Sequence, residues 1–125
     1  VDYGHARSAI GETLQCVKSH EFAGLFDTPG LCDITAHVDF ENVANIALAD
    51  GLAVHGPVTQ GQFLLDVGIE NRAERLWTIA NEAQKESLST GLMRLIDTEQ
   101  MGSLFKVLAV CHDPLIHPEG FDEYL

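Results

Sequence analysis

The sequence predicts an α/β fold, helices layered on a sheet, and three observations predict it. Residues 104–111, L-F-K-V-L-A-V-C, are apolar except for Lys106, as a strand buried on both faces is. Phe40, Val43, Ala44 and Ala47 recur at the spacing of one helical face, and so do Ile69, Ala73, Leu76, Trp77, Ala80 and Ala83. The order is strand, strand, helix, strand, helices, strand, without an internal repeat, which places a helical subdomain between the last two strands. The 125 residues, 46% of them hydrophobic, suffice for one modest domain with a core. The whole chain, residues 1–125, is read as a single partial domain that contains the helical subdomain at 61–100.

Val1-Asp2-Tyr3-Gly4-His5 reads as the end of a buried strand followed by a glycine turn. A strand with no beginning is read as the carboxyl part of something longer, with an unprotected sheet edge. Residues 13–18 nearly alternate apolar and polar, which predicts a short strand, and F-D-T-P-G at 26–30 predicts a turn. Residues 33–38 read as an extended or irregular link. Asp39 is placed to cap the helix carrying Phe40, and Gly51 to end it in a left-handed conformation.

Leu52, Val54 and Val58 share one face of a strand over 52–59. The chain then turns on Gly61 into a short helix with Phe63, Leu64 and Val67 on one side. A helix over 70–86 follows, and Leu88, Leu92 and Leu95 continue its pattern after a break near 87–91. A polar connection opens at 97–99, and the tail beyond His112, with Pro114, Pro118 and Gly120, reads as loop.

The formal charge of −12, from 19 acids and 7 bases, argues against nucleic acid, which needs clustered Lys and Arg. An acidic surface suits solubility or a basic peptide partner. No apolar run reaches the length of a membrane span. Cys16, Cys32 and Cys111 are odd in number and form no C-x-x-C pair, which points to reduced thiols in an intracellular compartment. Cys16 and Cys111 fall in predicted strands, so Cys32 is the one thiol worth testing as a nucleophile. The histidines are scattered, and the spacing of Cys111, His112, Asp113 and His117 matches no zinc pattern; no metal is expected. Phosphate-cradling motifs are absent, so a nucleotide-like cofactor would be held by residues outside this chain.

Two groups carry possible chemistry. Asp2, Tyr3 and His5 put a carboxylate, a phenol and an imidazole at a strand's carboxyl end, where a site needs hydrogen bonding and proton transfer. His37 and Asp39 form a second pair beside a helix start, although capping alone would explain Asp39. Thr59 and Gln60 lie where strand 52–59 stops, at the edge where ligands collect in open α/β sheets.

Five ordered blocks carry a resemblance: Asp2-Tyr3-Gly4-His5; Thr13-Leu14-Gln15 with His20 and Phe22; D-I-T-A-H-V-D-F at 33–40; G-P-V-T-Q-G-Q-F-L-L at 56–65; and M-G-S-L-F-K-V-L at 101–108. Together they resemble the carboxyl-terminal part of the MidA family of S-adenosylmethionine-dependent methyltransferases, which includes a mitochondrial assembly factor for respiratory complex I and bacterial relatives. The resemblance implies a Rossmann-like class I methyltransferase sheet with its last strands antiparallel. Residues 1–4 would end the fifth strand, 39–50 form the next helix, and 52–59 and 104–111 form the sixth and seventh strands. It also implies S-adenosylmethionine as cofactor, held mainly outside this chain, and methyl transfer to a protein arginine, with a complex I subunit as the possible partner. The compartment would be the bacterial cytoplasm, preferred here, or the mitochondrial matrix. On that mapping the acids best placed for an acceptor guanidinium are Asp2 and Asp39, with Tyr3, His5, His37 and Gln60 as hydrogen-bonding neighbours. The rival reading is a non-catalytic interaction module that grips a partner protein through residues 69–95.

Overall fold

The computed structural model describes residues 1–19, 21–27 and 29–121. His20 of the resembling blocks, Thr28 of the predicted turn and the last four residues of the tail lie outside the described residues. Twelve elements are present among the described residues. They are β1 (Asp2–His5), β2 (Gln15–Lys18), β3 (Glu21–Ala23), β4 (Asp33–Thr35), β5 (Val38–Asp39), α1 (Phe40–Ala49), β6 (Ala53–Thr59), α2 (Gln60–Asp66), α3 (Ile69–Ile79), α4 (Glu82–Ile96), α5 (Met101–Leu104) and β7 (Phe105–Cys111).

The main sheet runs β5-β1-β7-β6. The apolar strand β7 lies inside it, antiparallel to β1 (Asp2↔Lys106, Tyr3↔Phe105) and to β6 (Val58↔Val107, Thr59↔Lys106). The opening tetrapeptide and the late hydrophobic run are thus direct neighbours, with the last strands antiparallel as expected. Strand β6 carries a register shift between His55 and Val58, where Gly56 takes a positive φ and the Gly56–Pro57 bond is cis.

Helix α1 covers β6 and β7, and Phe40, Ala47 and Val107 are buried there. Asp39 caps it by accepting from Asn42 N at 3.0 Å. At the other end Gly51 N bonds Leu48 O and Leu52 N bonds Ala47 O, the Schellman pattern that a left-handed Gly51 permits. Val43, placed by the sequence on the apolar stripe, is exposed.

Two close approaches explain glycines. A Cβ on Gly4 would lie 2.1 Å from Val38 O, so only glycine lets β5 come alongside β1. At the strand-to-helix turn after β6, a Cβ on Gly61 would lie 2.6 Å from Ile96 O. The chain turns at Thr59, which caps α2, and Gly61 lies within the helix, where it admits the end of α4.

Three expectations are corrected. The helices break at residues 80–81, and α4 runs unbroken through 87–91. Asn81 and Gln84 exchange the reciprocal bonds of a capping box, which makes a new helix start more favourable than continuation. The link over 33–38 contains β4 and β5, and residues 21–23 add β3, so a small antiparallel sheet β3-β2-β4 stands beside the main one. Finally, Cys16 and Cys32 are joined in a disulfide, with Cα atoms 5.9 Å apart; Cys32 is no free nucleophile, and Cys111 alone stays unpaired. Pairing of Cys16 with Ile34 across β2–β4 brings the two sulfurs together, a contact no local spacing announces.

The disulfide spans 16 positions in sequence, so Cys32→Ser should destabilise the small sheet by about 3 kcal/mol on chain-entropy grounds, read as a lower denaturant midpoint of the full-length protein. Gly4→Ala should cost about 1–3 kcal/mol, the usual penalty for overpacking, because the new methyl meets backbone that has no room to yield.

Candidate functional site

The parallel pairing of β1 with β5 sets Gly4 opposite Val38 and His5 opposite Asp39. His37 enters β5, and its imidazole meets that of His5, with His37 Nδ1 and His5 Nε2 2.8 Å apart. Two N–H groups cannot face each other at that separation, so at least one of these nitrogens is bare and accepts. Tyr3, two residues before His5 and therefore on the same strand face, stands edge-on to His37 with ring centroids 4.0 Å apart. The backbone N–H of His37 donates to Thr13 Oγ1 at 3.2 Å, which holds β5 to the segment before β2. These rings open onto a cleft of about 450 Å³ walled by Tyr3, His5, His37 and residues 9–15.

Burial pushes the His37 imidazole below its ordinary pKa of 6.5, and neighbouring His5 adds to the effect. The shift favours the neutral form of His37. Asp39 is held below its usual 3.8, first by the hydrogen bond from the Asn42 backbone and then by Ser8. Ser8 Oγ lies 2.8 and 2.7 Å from the two Asp39 oxygens, and Ser8 N donates to Glu41 Oε2 at 2.7 Å. The loop after β1 is thereby fastened to the start of α1. Asp39 spends its oxygens on this clasp and on the cap.

Of the residues singled out by sequence, the fold gathers Tyr3, His5 and His37 in one group and sets Asp39 beside them. Asp2 sits further back on β1, where its Oδ1 accepts from Tyr3 N at 2.8 Å, and it lines a different cleft. Gln60 lies two strands away, across β7; it is buried and donates from Nε2 to Leu95 O at 3.0 Å, tying α2 to the end of α4. Ser8, Thr13 and Glu41 were not among the site candidates that the sequence offers. Their partners lie 24 to 33 positions away, and no spacing rule reaches that far.

These groups can orient a polar or cationic ligand and accept one proton. They do not form a cradle for a nucleoside cofactor: at the glycine-bearing turn after β6, the space beside Gly61 is filled by Ile96 and Gly102. Among the described residues no cluster of three or more metal-ligating side chains is present, and no described helix is long and apolar enough to cross a membrane.

Because folded His37 declines a proton that the unfolded chain accepts, stability should be complete above about pH 6.5 and fall as the pH drops below it. Asp39 acts lower, its contribution present above 3.8 and lost as the pH falls through its depressed folded value. In an NMR titration of the full-length protein, His5→Ala should raise the His37 midpoint part of the way towards 6.5. An unmoved midpoint would show that the two rings do not sense each other.

A family described as "Putative S-adenosyl-L-methionine-dependent methyltransferase" matches residues 1–58. The zebrafish (Danio rerio) protein arginine methyltransferase NDUFAF7, mitochondrial, is 34% identical over 110 residues, which are 88% of this chain and 26% of that protein. The Drosophila melanogaster homologue is 39% identical over 112 residues, 88% of this chain and 25% of the relative. A solved structure from Burkholderia thailandensis, bound to S-adenosyl-homocysteine, is 31% identical with a TM-score of 0.70, covering 90% of this chain and 27% of its own. The chain thus spans about a quarter of the length of the relatives it matches. Block order, strand topology and these likenesses agree: the chain is similar to about a quarter of the length of the S-adenosylmethionine-dependent methyltransferases of the MidA family.

Proposed function

We propose that this chain supplies the acceptor side of an enzyme that methylates arginine in a protein substrate. The observation that carries the reading is the imidazole pair, His5 and His37 at 2.8 Å, standing with Tyr3 over a cleft at the carboxyl end of β1. In this family the methyl group comes from S-adenosylmethionine. The work left to the acceptor side is to hold the nucleophile in line and to remove its proton. A guanidinium nitrogen that gains a carbon must shed one N–H proton. Neutral His37, with His5 hydrogen-bonded behind it, can take that proton, while the Tyr3 ring fixes the His37 plane. Asp39 serves as a positioning residue, since its carboxylate holds Ser8 and the start of α1 against β5. The relatives' names support a protein arginine as acceptor. A respiratory complex I subunit is the partner the family resemblance implies, in the bacterial cytoplasm or the mitochondrial matrix.

A second reading has its own observation. The hairpin of α3 and α4 leaves Trp77 and Ile79 exposed, the latter at 81%, as a partner-gripping surface would. It is also balanced in charge, Glu70, Glu74, Glu82 and Glu86 against Arg72, Arg75, Lys85 and Arg94, in a chain that is otherwise strongly acidic. If this surface were the whole function, a variant without turnover would still support assembly of its partner.

The deciding experiment is transfer of labelled methyl to an arginine-bearing protein by the full-length enzyme. His37→Gln should lower kcat by about 100-fold, the scale of a lost general base, with cofactor affinity kept. Asp39→Asn should reduce turnover less and should shift the acid limb of the pH profile, a change that a simple helix cap would not cause. Normal turnover in His37→Gln would end the proposal for the imidazole pair.

A further inference from the structure

Tyr3 has a second neighbourhood. Its other side faces a cleft of about 690 Å³ between the main sheet and the small sheet, which is also lined by Asp2, Val17, Phe22, Thr35 and Phe105. Three aromatic side chains line it, Tyr3, Phe22 and Phe105. Tyr3 and Phe105, opposite each other in the β1–β7 register, have centroids 5.9 Å apart. Phe22 projects from β3 and is 77% exposed, a large apolar ring left in solvent on a strand whose neighbour Cys16 is sealed.

The charge at this cleft is negative. Asp2 gives one carboxylate oxygen to Tyr3 N, and among the described residues its other oxygen accepts no hydrogen bond. Lys106, its register partner on β7, does not neutralise it, because Nζ donates to Ser103 O instead. The chain as a whole carries 19 acids against 7 bases.

Aromatic faces beside an unpaired carboxylate suit one side chain above others. A guanidinium is planar, weakly hydrated and charged; it stacks on rings and bonds a carboxylate with two N–H groups at once. A lysine ammonium offers neither the plane nor the fork. We propose that this cleft is the subsite for the substrate's arginine, with Asp2 pairing the guanidinium and Tyr3, Phe22 and Phe105 flanking it. Tyr3 and Gln15 line both this cleft and the cleft of the imidazole pair, so the two are neighbours. The assignment rests on the acceptor-side reading above, and it gives Phe22 and the small sheet a purpose: they close the outer wall of the arginine cleft.

The test is calorimetry with the full-length protein and three short Gly-Ser peptides that differ at one central position, arginine, citrulline or lysine. The arginine peptide should bind at least tenfold more tightly than the other two. Phe22→Ala and Asp2→Asn should each remove about tenfold of that preference and leave citrulline binding unchanged. Phe22 is exposed and Asp2→Asn is isosteric, so both variants should fold, as circular dichroism would verify. If arginine and citrulline bind equally, or neither variant alters the preference, the cleft is not the subsite, even where methyl transfer to arginine proceeds. If the selectivity is present and depends on Asp2 and Phe22 while no methyl is transferred, the subsite stands and the catalytic reading falls.

Discussion

The contact on which the rest depends is the approach of β5 to β1 across Gly4. With no side chain at Gly4, the Val38 backbone comes close enough for the two strands to pair in parallel. That pairing places His5 against His37, although 32 positions separate them in sequence. It also sets Asp39 at the head of α1 within reach of Ser8, so one strand pair builds the imidazole pair and its clasp together.

Cys16, Phe40, Ala47 and Val107 are the buried apolar side chains among the described residues, and many large hydrophobics, Ile46 and Phe22 among them, face outward. Directional devices fix the backbone among the described residues: the strand ladders, the cap at Asp39, the Schellman turn at Gly51, the capping box at Asn81 and the Cys16–Cys32 bridge. The small sheet shows this well. Its strands are three or four residues long, and its disulfide ties Cys16 of β2 to Cys32 just before β4.

The two clefts on either side of Tyr3 divide the chemistry. One side carries the imidazoles proposed to accept a proton; the other carries aromatic faces and the carboxylate proposed to hold a cation. On the proposed reading, the phenol ring of Tyr3 stands between the group that orients the acceptor and the group that takes its proton. Gln60, which the sequence set at the ligand-bearing edge, works elsewhere: it locks the end of α4 to the start of α2 and shapes the helical insertion.

Much was legible in the chain as written. Periodicity marked α1 and the strands β6 and β7, Asp39 and Gly51 announced the ends of α1, and the ordered blocks pointed to the MidA family, because each of these signals lies within a few neighbouring residues. Other features depend on partners 16 to 33 positions apart: the disulfide, the Ser8 clasp and the meeting of His5 with His37. The helix break at 80–81 was written locally, in Asn81 and Gln84, but the apolar stripe running through it masked the signal. The sequence by itself determined which segments become strand or helix and which residue types were available for acid–base work. Only the tertiary structure decided which of them meet, because side-chain chemistry is a local property while strand pairing and sheet closure join distant parts of the chain.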